Sequence, residues 1–370
     1  MDIDKDITIG CVDIWILREL CGDSLDGPQN VTPGDPHPPT HTPMKDIILS
    51  ELDILRRISV TEANGIFKAR AYVAAIKAIA AVPHIARIED LPAAKGKGDP
   101  LTTDMRAKVA FIMSHGRLEI PDAARARANA LDIFQKIYGV GPKKAHEWIE
   151  EGYTTLAAIH AAVAATTLKL TKAQAIGLKY YDDINSRIPR SELDAHAALL
   201  LAAKPPELEG IIVGSYRRGA ITSGDIDMLV TVRPGIGEKD AGAALATFVT
   251  RLKERGYLRE VLAQGDHKCL AVAALPSPSA RARRLDLLVT PPEEFPFAVF
   301  YFTGCDTFNV AVRSHALTRG YTLNEHALTA TATKTAVTGL RNEADIFTFL
   351  GLEWTPPEAR TGPDAMVLVK

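Results

Sequence analysis

The sequence predicts an α+β protein of several domains, in which two all-helical units precede a mixed-sheet unit and a smaller α/β unit. Three observations support this prediction. Apolar residues recur at helical spacing from about residue 44 to residue 185. Short β-branched or apolar runs, bounded by glycine, proline and charge, begin near residue 209. The 370 residues, 46% hydrophobic and 24% charged, are enough for two or three compact units with their own cores.

The chain begins with an acidic segment and a proline-rich linker, residues 1–43. The first 45 residues hold eight Asp and Glu against three Lys and Arg, whereas the rest of the chain has a net charge of +3. The stretch Ile7–Leu20 has the pattern of a short amphipathic helix, and residues 27–42 contain five prolines without periodicity. The leading segment is therefore either a disordered tail or a helix that docks on a partner.

Composition excludes several classes of protein. No apolar run approaches the roughly 20 residues of a membrane helix, and an acidic N-terminus is unlike a secretory or mitochondrial leader. The four cysteines, Cys11, Cys21, Cys269 and Cys305, have no metal-ligand spacing. We therefore expect reduced thiols in a soluble intracellular protein, and the sequence does not distinguish nucleus from cytoplasm.

The helical part of the sequence divides into two predicted units, residues 44–120 and 121–186. Helices are predicted from apolar stripes at 47–58, 71–81, 105–113, 124–137, 142–151 and 172–184. The next predicted unit, residues 187–292, has strands at 209–213, 226–232, 269–274 and 285–289 and a helix at 241–255. Residues 293–370 form a mixed segment that ends in a polar tail.

The most specific chemical signal is a glycine-serine turn followed by acidic residues. The segment GSYRRG at 214–219 follows a predicted strand, and such a turn exposes backbone N–H groups and a hydroxyl that can bind phosphate. Asp225 and Asp227, two positions apart, project from one face of the next strand. A third carboxylate, Asp286, lies on a predicted neighbouring strand. Three acids beside a phosphate-binding turn predict a two-metal phosphoryl-transfer site.

Two further motifs are less specific. The segment YGVGPKKA at 138–145 joins two predicted helices by a glycine turn, a pattern that binds the backbone of duplex DNA without reading bases. The segment YFTGCD at 301–306 is followed by Asn309 and Arg313, which gathers aromatic, small and polar residues at one helix entrance. Taken alone, the first could be a tight αα-turn and the second core packing.

With these motifs, the sequence resembles the family X DNA polymerases, and the polymerase beta branch most closely. The segments at 214–231, 283–289 and 301–328 are close matches to the family's nucleotidyltransferase motifs, and 139–156 resembles its DNA-binding hairpin. The resemblance runs from about residue 44 to residue 361. It implies a lyase-like domain (44–120), a helix–hairpin–helix DNA-binding subdomain (121–186), a nucleotidyltransferase-type palm (187–292) and a small α/β nucleotide-selection subdomain with a tail (293–370).

The resemblance also implies a role for individual residues. Asp225, Asp227 and Asp286 would hold two Mg²⁺ or Mn²⁺ ions, and Asp286 would accept the proton of the primer 3′-hydroxyl. Nucleotide contacts are implied for Arg187, Ser215, Arg218, Gly224, Tyr301, Phe302, Gly304, Asp306 and Asn309. DNA contacts are implied for Lys68, Gly139, Gly141, Lys143, Arg284 and Arg313. Carbonyls of Gln135, Ile137 and Val140 would hold Na⁺ or K⁺ at the hairpin.

In the beta branch the amino-terminal domain removes a 5′-deoxyribose phosphate through a lysine Schiff base, and Lys108 falls where that nucleophile is expected. Two departures bear on the resemblance. The first hairpin region, residues 95–104, has misplaced glycines and an acid in place of a phosphate-binding lysine. Leu288 replaces an arginine that pairs with a metal-ligand Asp in the beta branch.

The sequence therefore predicts a monomeric, metal-dependent polymerase that fills short gaps in base-excision repair and has 5′-deoxyribose-phosphate lyase activity. Its expected partners are gapped or nicked duplex DNA and deoxynucleoside triphosphates, and no membrane association is expected. The N-terminal segment is a candidate binding site for an unknown repair partner. Three alternatives remain open: a polymerase whose first domain only binds 5′ ends, a template-independent nucleotidyltransferase, and a non-catalytic scaffold that binds gaps.

Overall fold

The computed structural model of the chain describes residues 44–369 apart from 62–64, 94, 95, 97 and 234–237, and only the backbone of 61 and 238–240. The predicted helix, the linker, Cys11 and Cys21 of the N-terminal segment lie outside the described residues. The chain divides into two compact units, residues 1–170 and 171–370. Among the described residues, no helix is both long and apolar enough to cross a membrane.

The regular elements described in the first unit are helices. They are α1 (Met44–Thr61), α2 (Ile66–Ala80), α3 (Thr103–His115), α4 (Asp122–Gln135), α5 (Pro142–Glu150) and α6 (Leu156–Ala164), with a 3₁₀ turn at Ile88–Asp90. Thr102 starts α3 because its hydroxyl accepts a hydrogen bond from the backbone N–H of Met105. The apolar stripes predicted from the sequence are buried: Ile48, Leu52, Ile79, Val109 and Ile112 form the centre of one core.

A buried ion pair joins the first helix to the fourth. Glu51 on α1 accepts two hydrogen bonds from Arg125 on α4, at 2.6 and 2.9 Å, and a third from the backbone N–H of Leu118 at 2.7 Å. Charge-assisted bonds of this kind are among the stronger ones in proteins. Burial opposes ionisation of Glu51, but the Arg125 and Leu118 bonds outweigh it and keep the pKa of this carboxyl below its usual value.

A tight turn separates α4 from α5, as the glycine motif predicted. Gly139 has a φ of 81°, a conformation that glycine adopts easily, and the Val140 N–H donates to the Ile137 carbonyl at 3.0 Å. Pro142 occupies the first turn of α5, where its missing N–H costs nothing. The two helices pack through Phe134 and Trp148, whose rings meet edge to face at 5.6 Å.

The second unit contains the main sheet. Its elements up to the last strand of that sheet are α7 (Lys172–Lys179), α8 (Tyr181–Ile184), β1 (Ile188–Pro189), α9 (Arg190–Ala203), β2 (Leu208–Ile212), α10 (Gly214–Arg217), β3 (Thr222–Ser223), β4 (Ile226–Val232), α11 (Glu238–Glu254), β5 (Leu258–Gln264), β6 (Lys268–Ala273) and β7 (Arg283–Thr290). The five-stranded sheet has the order β2-β4-β7-β6-β5. Its β4–β7 pair is parallel and its other pairs are antiparallel. The mixed sheet agrees with the predicted fold class.

The two faces of the sheet are covered differently. On one face, apolar residues of α9 and α11 pack on the strands, with Leu200, Leu245 and Phe248 fully or almost fully buried. The other face has a smaller apolar cluster around Val213 and Leu229, which leaves polar positions at its edge.

The remainder of the second unit is a small α/β layer. It consists of α12 (Phe295–Thr303), α13 (Asp306–Thr318), β8 (Tyr321–Leu323), β9 (Leu328–Ala330) and α14 (Glu343–Phe349), with 3₁₀ turns at Pro357–Ala359 and Pro363–Ala365. Its core contains Phe300, Phe308 and Phe347. The aromatic rings of this core pack against one another at 5.5–6.4 Å between centroids.

Several local predictions were incomplete. The predicted helix over 172–184 is two helices, because Tyr180 leaves helical geometry with a φ of −108°. Helices α6 and α9 and strand β5 were not predicted. Strand β5 is an edge strand with two register shifts against β6, so its side chains do not alternate cleanly between buried and exposed.

His196 on α9 gives the second unit a pH-dependent stability. The ring is fully buried, its Nδ1 lies 2.7 Å from the hydroxyl of Tyr257, and its Nε2 lies 3.7 Å from Glu192, which is paired with Arg283. Burial lowers the pKa of His196 to about 4, below the usual value of 6.5. Folding therefore favours the neutral ring, and its contribution to stability is complete above pH 6.5 and is lost as pH falls towards 4.

We expect the wild-type protein to lose up to about 3 kcal/mol of unfolding free energy through His196 between pH 7 and pH 4. His196→Gln should remove that part of the pH dependence, measured by urea unfolding at several pH values. His160→Gln, at an exposed histidine of α6, is the control. An equal pH dependence in the wild type and in both variants would contradict the assignment.

Candidate active site

Three carboxylates meet at the pair of parallel strands. Asp227 on β4 is directly opposite Asp286 on β7, and residues opposite each other on paired strands point to the same face. Asp225 lies two positions before Asp227, just ahead of the first residue of β4, and so points to that face as well. One oxygen atom from each of the three carboxylates lies within 4.8 Å of an oxygen atom of the other two. The structure thus brings together the three acids predicted from the sequence.

The alternation of β7 explains why one of these acids remains accessible. Arg283, Leu285, Leu287 and Val289 are buried, whereas the residues between them, including Asp286, are half-buried on the opposite face. The strand therefore contributes its apolar side to the core and its polar side to the carboxylate group.

The three carboxylates repel one another. Burial, and then the charge of Asp286, raises the pKa of Asp227 to about 7, while Arg218 acts in the opposite direction. A divalent cation would offset this repulsion, and carboxylate oxygens are the ligands that Mg²⁺ and Mn²⁺ prefer. The three residues therefore fit a metal site.

Arg284 lies among the same carboxylates. Its guanidinium contacts the carboxylate of Asp225, and its Nε lies 3.6 Å from Asp286 Oδ1. Arg284 and Asp286 are both on the open face of β7, since they are two residues apart. The positive charge of Arg284 thus lies among the carboxylates that would attract a bound cation.

The glycine-serine turn lies beside Asp227. It connects β2 to the single-turn helix α10, and its first residue, Gly214, has a φ of 63°. The backbone N–H of Val213 donates to the carbonyl of Asp227 at 2.9 Å, so the turn is fastened to the strand that carries the acid. The hydroxyl of Ser215 donates to Ser223 at 2.8 Å.

Arg187 lies at the other end of the same polar region. Its guanidinium donates to the hydroxyl and the carbonyl of Thr222, at 3.1 and 2.9 Å. A side chain at Gly224 would come within 3.5 Å of this guanidinium. That distance is an ordinary van der Waals contact, so Gly224 lies directly beside the Arg187 guanidinium on the way to the acids.

An arginine–glutamate network connects the glycine-serine turn to the small α/β layer. Arg217 donates to Thr303 Oγ1 and to Glu343, at 2.6 Å each, and Arg218 donates to the Thr303 carbonyl at 2.9 Å. Glu343 also contacts Arg360, which is fully buried beneath the rings of Phe300, Phe308, Phe347 and Trp354. The nucleotide candidate Arg218 is therefore held beside the corner between α12 and α13.

That corner contains most of the other predicted nucleotide residues. The Asn309 side-chain amide donates to the Tyr301 carbonyl at 2.7 Å and to the Gly304 carbonyl at 3.3 Å. A side chain at Gly304 would meet Asn309 and Phe308, which makes glycine necessary there. The rings of Tyr301 and Phe302 meet edge to face at 5.3 Å. Asp306 is half-buried in the first turn of α13.

The remaining predicted residues lie elsewhere. Arg313 is exposed on α13. The first unit contains Lys68, Lys108, Gln135, Ile137, Gly139, Val140, Gly141 and Lys143. Gln135 ends α4, Gly141 precedes α5, and Lys143 is exposed in the first turn of α5.

Comparison with known families identifies the chain. The model of the DNA polymerase beta palm matches residues 187–292, that of the DNA polymerase beta thumb matches 298–361, and that of the fingers domain of DNA polymerase lambda matches 132–185. The chain belongs to the family X DNA polymerases. Within this family it is beta-like.

Two curated relatives of this family X chain are named DNA polymerase lambda. The protein of Rattus norvegicus is 34% identical over 273 residues, which are 69% of this chain and 46% of the relative. That of Arabidopsis thaliana is 33% identical over 280 residues, 69% of this chain and 51% of the relative. The chain spans about half the length of the curated relatives it matches.

Sequence reasoning missed part of this family X site. Arg217 and Thr303 lie inside the motifs but were given no role, and Glu343 and Arg360 lie outside them. Position within the motifs could have identified the first two. A single Glu and a single Arg near the end of the chain carry no local pattern that would have identified the others.

We expect Arg284→Ala to raise the affinity of the DNA-free protein for Mn²⁺ by about tenfold, because the substitution removes a competing positive charge. The free Mn²⁺ signal in electron paramagnetic resonance measures this affinity. Arg281→Ala removes the same charge from an exposed position and should leave the affinity within about twofold of wild type. Unchanged or weaker binding by Arg284→Ala would show that Arg284 does not compete with the ion.

Proposed function

We propose that this chain is a DNA-directed DNA polymerase that fills short gaps in duplex DNA during base-excision repair. The observation that carries the proposal is the convergence of Asp225, Asp227 and Asp286 beside the glycine-serine turn. Membership of family X and relatives named DNA polymerase lambda support the same activity.

In the proposed reaction the primer 3′-oxygen bonds to the α-phosphorus of a deoxynucleoside triphosphate, and pyrophosphate leaves. Two Mg²⁺ ions, when bound to the three aspartates, would lower the pKa of the hydroxyl and stabilise the leaving group. In this proposal Asp286, whose side chain is half-buried beside the other two acids, accepts the hydroxyl proton.

Arg187, Ser215, Arg218 and the open side of Gly224 would bind the triphosphate. Arg218 donates to the Thr303 carbonyl, and a phosphate oxygen in that place would be a charged acceptor instead of a neutral one. Charged acceptors form the stronger hydrogen bonds, and this difference favours the exchange.

The sugar and base would lie at the corner between α12 and α13, against Tyr301, Phe302, Gly304, Asp306 and Asn309. The hydrogen bonds of Asn309 to two backbone carbonyls fix the approach of α13 to the end of α12. A rigid corner between α12 and α13 would favour selection of the nucleotide by its shape. A base in the wrong position would have to break hydrogen bonds to the backbone instead of only moving flexible side chains.

DNA would be held by the turn between α4 and α5 and by separate arginines. The turn has Gly139 and Gly141 on either side of Val140 and the exposed Lys143 after it, a geometry suited to a phosphate of the duplex backbone. Carbonyls of Gln135, Ile137 and Val140 would bind Na⁺ or K⁺ there. Arg313, exposed on α13, would contact the template, and Arg284 the primer backbone.

The polymerase proposal is tested on a duplex with a one-nucleotide gap, a labelled primer, Mg²⁺ and each deoxynucleoside triphosphate in turn. We expect wild type to add only the templated nucleotide and Asp286→Asn to lower the rate by about 10²–10⁴-fold. Asp364→Asn, at an exposed acid, is the control. Addition that ignores the template would favour the template-independent alternative. Gap binding without any addition would favour the scaffold.

We also propose that the first unit removes a 5′-deoxyribose phosphate through Lys108. The amine would condense with the sugar aldehyde and release water to form a Schiff base; loss of a C2′ proton would then break the C3′–O bond and release the DNA end with its 5′-phosphate, and water would hydrolyse the remaining Schiff base to free the lysine. Supporting observations are the 26% exposure of the Lys108 side chain and the exposed Phe67 beside Lys68 at the start of α2, suited to a DNA end. Lys108 contacts Asp104, a carboxylate that the substrate would have to displace.

Borohydride reduction tests the lyase because it converts the Schiff base into a permanent protein–DNA bond. We expect wild type to be trapped on a nicked 5′-deoxyribose-phosphate duplex and Lys108→Ala to lose at least about 90% of the trapped product. Lys77→Ala, at an exposed lysine of α2, should be trapped like wild type, and gap filling should be the same in all three. Equal trapping of Lys108→Ala would exclude Lys108, and binding without trapping would leave the domain a 5′-end binder.

A further inference from the structure

Gly214 lies unusually close to one of the candidate metal ligands. A Cβ atom built at Gly214 would be 2.5 Å from Oδ2 of Asp227, 3.5 Å from its Cγ and 3.7 Å from its Cβ. The three nearest heavy atoms thus belong to the same carboxylate side chain. Real Cβ atoms almost never approach another atom to less than 3.0 Å, so an alanine here would force a displacement.

The backbone offers little relief from that overlap. The N–H of Val213, the residue before Gly214, donates to the Asp227 carbonyl at 2.9 Å, and Ile212 is paired with Met228 in the sheet. The two residues immediately before Gly214 are therefore fastened to the strand that carries Asp227. The carboxylate of Asp227 is the part that is left to move, by rotation of its side chain.

We propose that Gly214 is a positioning residue for the metal site, because its missing side chain provides the space in which the Asp227 carboxylate faces Asp225 and Asp286. This inference rests on the proposed function insofar as the three aspartates bind divalent ions. It gives the first residue of the turn a task different from presenting N–H groups to phosphate. In this proposal Gly214 makes space for the Asp227 carboxylate, whereas Ser215 contacts the nucleotide.

The chain contains a matched control for the unusual backbone conformation. Gly256, between α11 and β5, has a φ of 65°, close to the 63° of Gly214, and a Cβ there would meet no atom within 4 Å. Alanine therefore suffers the same backbone strain at both positions but meets a carboxylate only at 214. Gly219, in the same segment as Gly214, is a second control, because its Cβ would be 3.5 Å from Glu358, an ordinary contact.

The experiment measures Mn²⁺ binding by electron paramagnetic resonance, without nucleotide or DNA, together with thermal unfolding. We expect Gly214→Ala to weaken Mn²⁺ binding at least tenfold, and Gly256→Ala and Gly219→Ala to stay within about twofold of wild type. Gly256→Ala should lower the melting temperature by about 2–4 °C, which shows that backbone strain alone does not affect the ion. In an Asp227→Ala background, adding Gly214→Ala should cause no further loss of Mn²⁺ binding, because the carboxylate it displaces is gone.

The outcomes separate this inference from the proposed polymerase. If wild type binds Mn²⁺ and Gly214→Ala binds it equally well, the positioning role is wrong and the polymerase proposal is untouched. If the predicted Mn²⁺ losses occur but wild type adds no nucleotide, the positioning role stands and the polymerase proposal fails. Mn²⁺ binding that is as tight in Asp227→Ala as in wild type, or that is absent from wild type, overturns the inference because Asp227 then holds no ion for Gly214 to position.

Discussion

The repulsion among three carboxylates is the constraint on which the rest of the site depends. Asp225, Asp227 and Asp286 have oxygens within 4.8 Å of one another, and this arrangement is held by two neighbouring parallel strands rather than by mutual attraction. The strands can hold it because their apolar side chains lie in a buried core on the opposite face of the sheet. Core packing thus stabilises an arrangement that would separate in a flexible loop. Arg284 and Arg218 partly compensate the negative charge of the carboxylates. Gly214, which has no side chain, leaves the space that the Asp227 carboxylate occupies.

The Arg217–Glu343–Arg360 network is a second electrostatic element of the second unit, in addition to the three carboxylates. Arg217 and Arg218 are consecutive, and both contact Thr303 while Glu343 joins Arg217 to the buried Arg360. Burial of charge is costly unless partners and hydrogen bonds are complete, and the aromatic rings around Arg360 add cation–π contacts. Buried networks of this kind favour one arrangement over others more than they add stability. The glycine-serine turn and the corner between α12 and α13 are consequently fixed by shared partners.

Much of the fold and the central acids could be predicted because their signals are local. The helical stripes of the first unit and the run over β4 follow from side-chain periodicity, and Asp225 and Asp227 follow from their spacing on a strand. Strand β5 was missed because the charged residues Arg259 and Glu260 interrupt the alternation of apolar and polar residues that predicts a strand. An edge strand with register shifts tolerates such an interruption. Glu343 and Arg360 were missed because their burial is decided by distant partners. The break between α7 and α8 depends on one backbone conformation, at Tyr180, that no sequence pattern specifies.

The parallel pairing of β4 with β7 has a consequence for how the site comes into existence during folding. Asp227 and Asp286 are 59 positions apart in the chain, and β7 lies between β4 and β6 in the sheet. A growing chain that ends before residue 283 has neither the central strand nor the third acid, so neither the complete sheet core nor the carboxylate group can form before β7 is present. Premature termination before residue 283 would therefore remove the central strand together with one carboxylate. It would leave a chain whose two remaining acids lie at an open sheet edge, liable to pair with other chains.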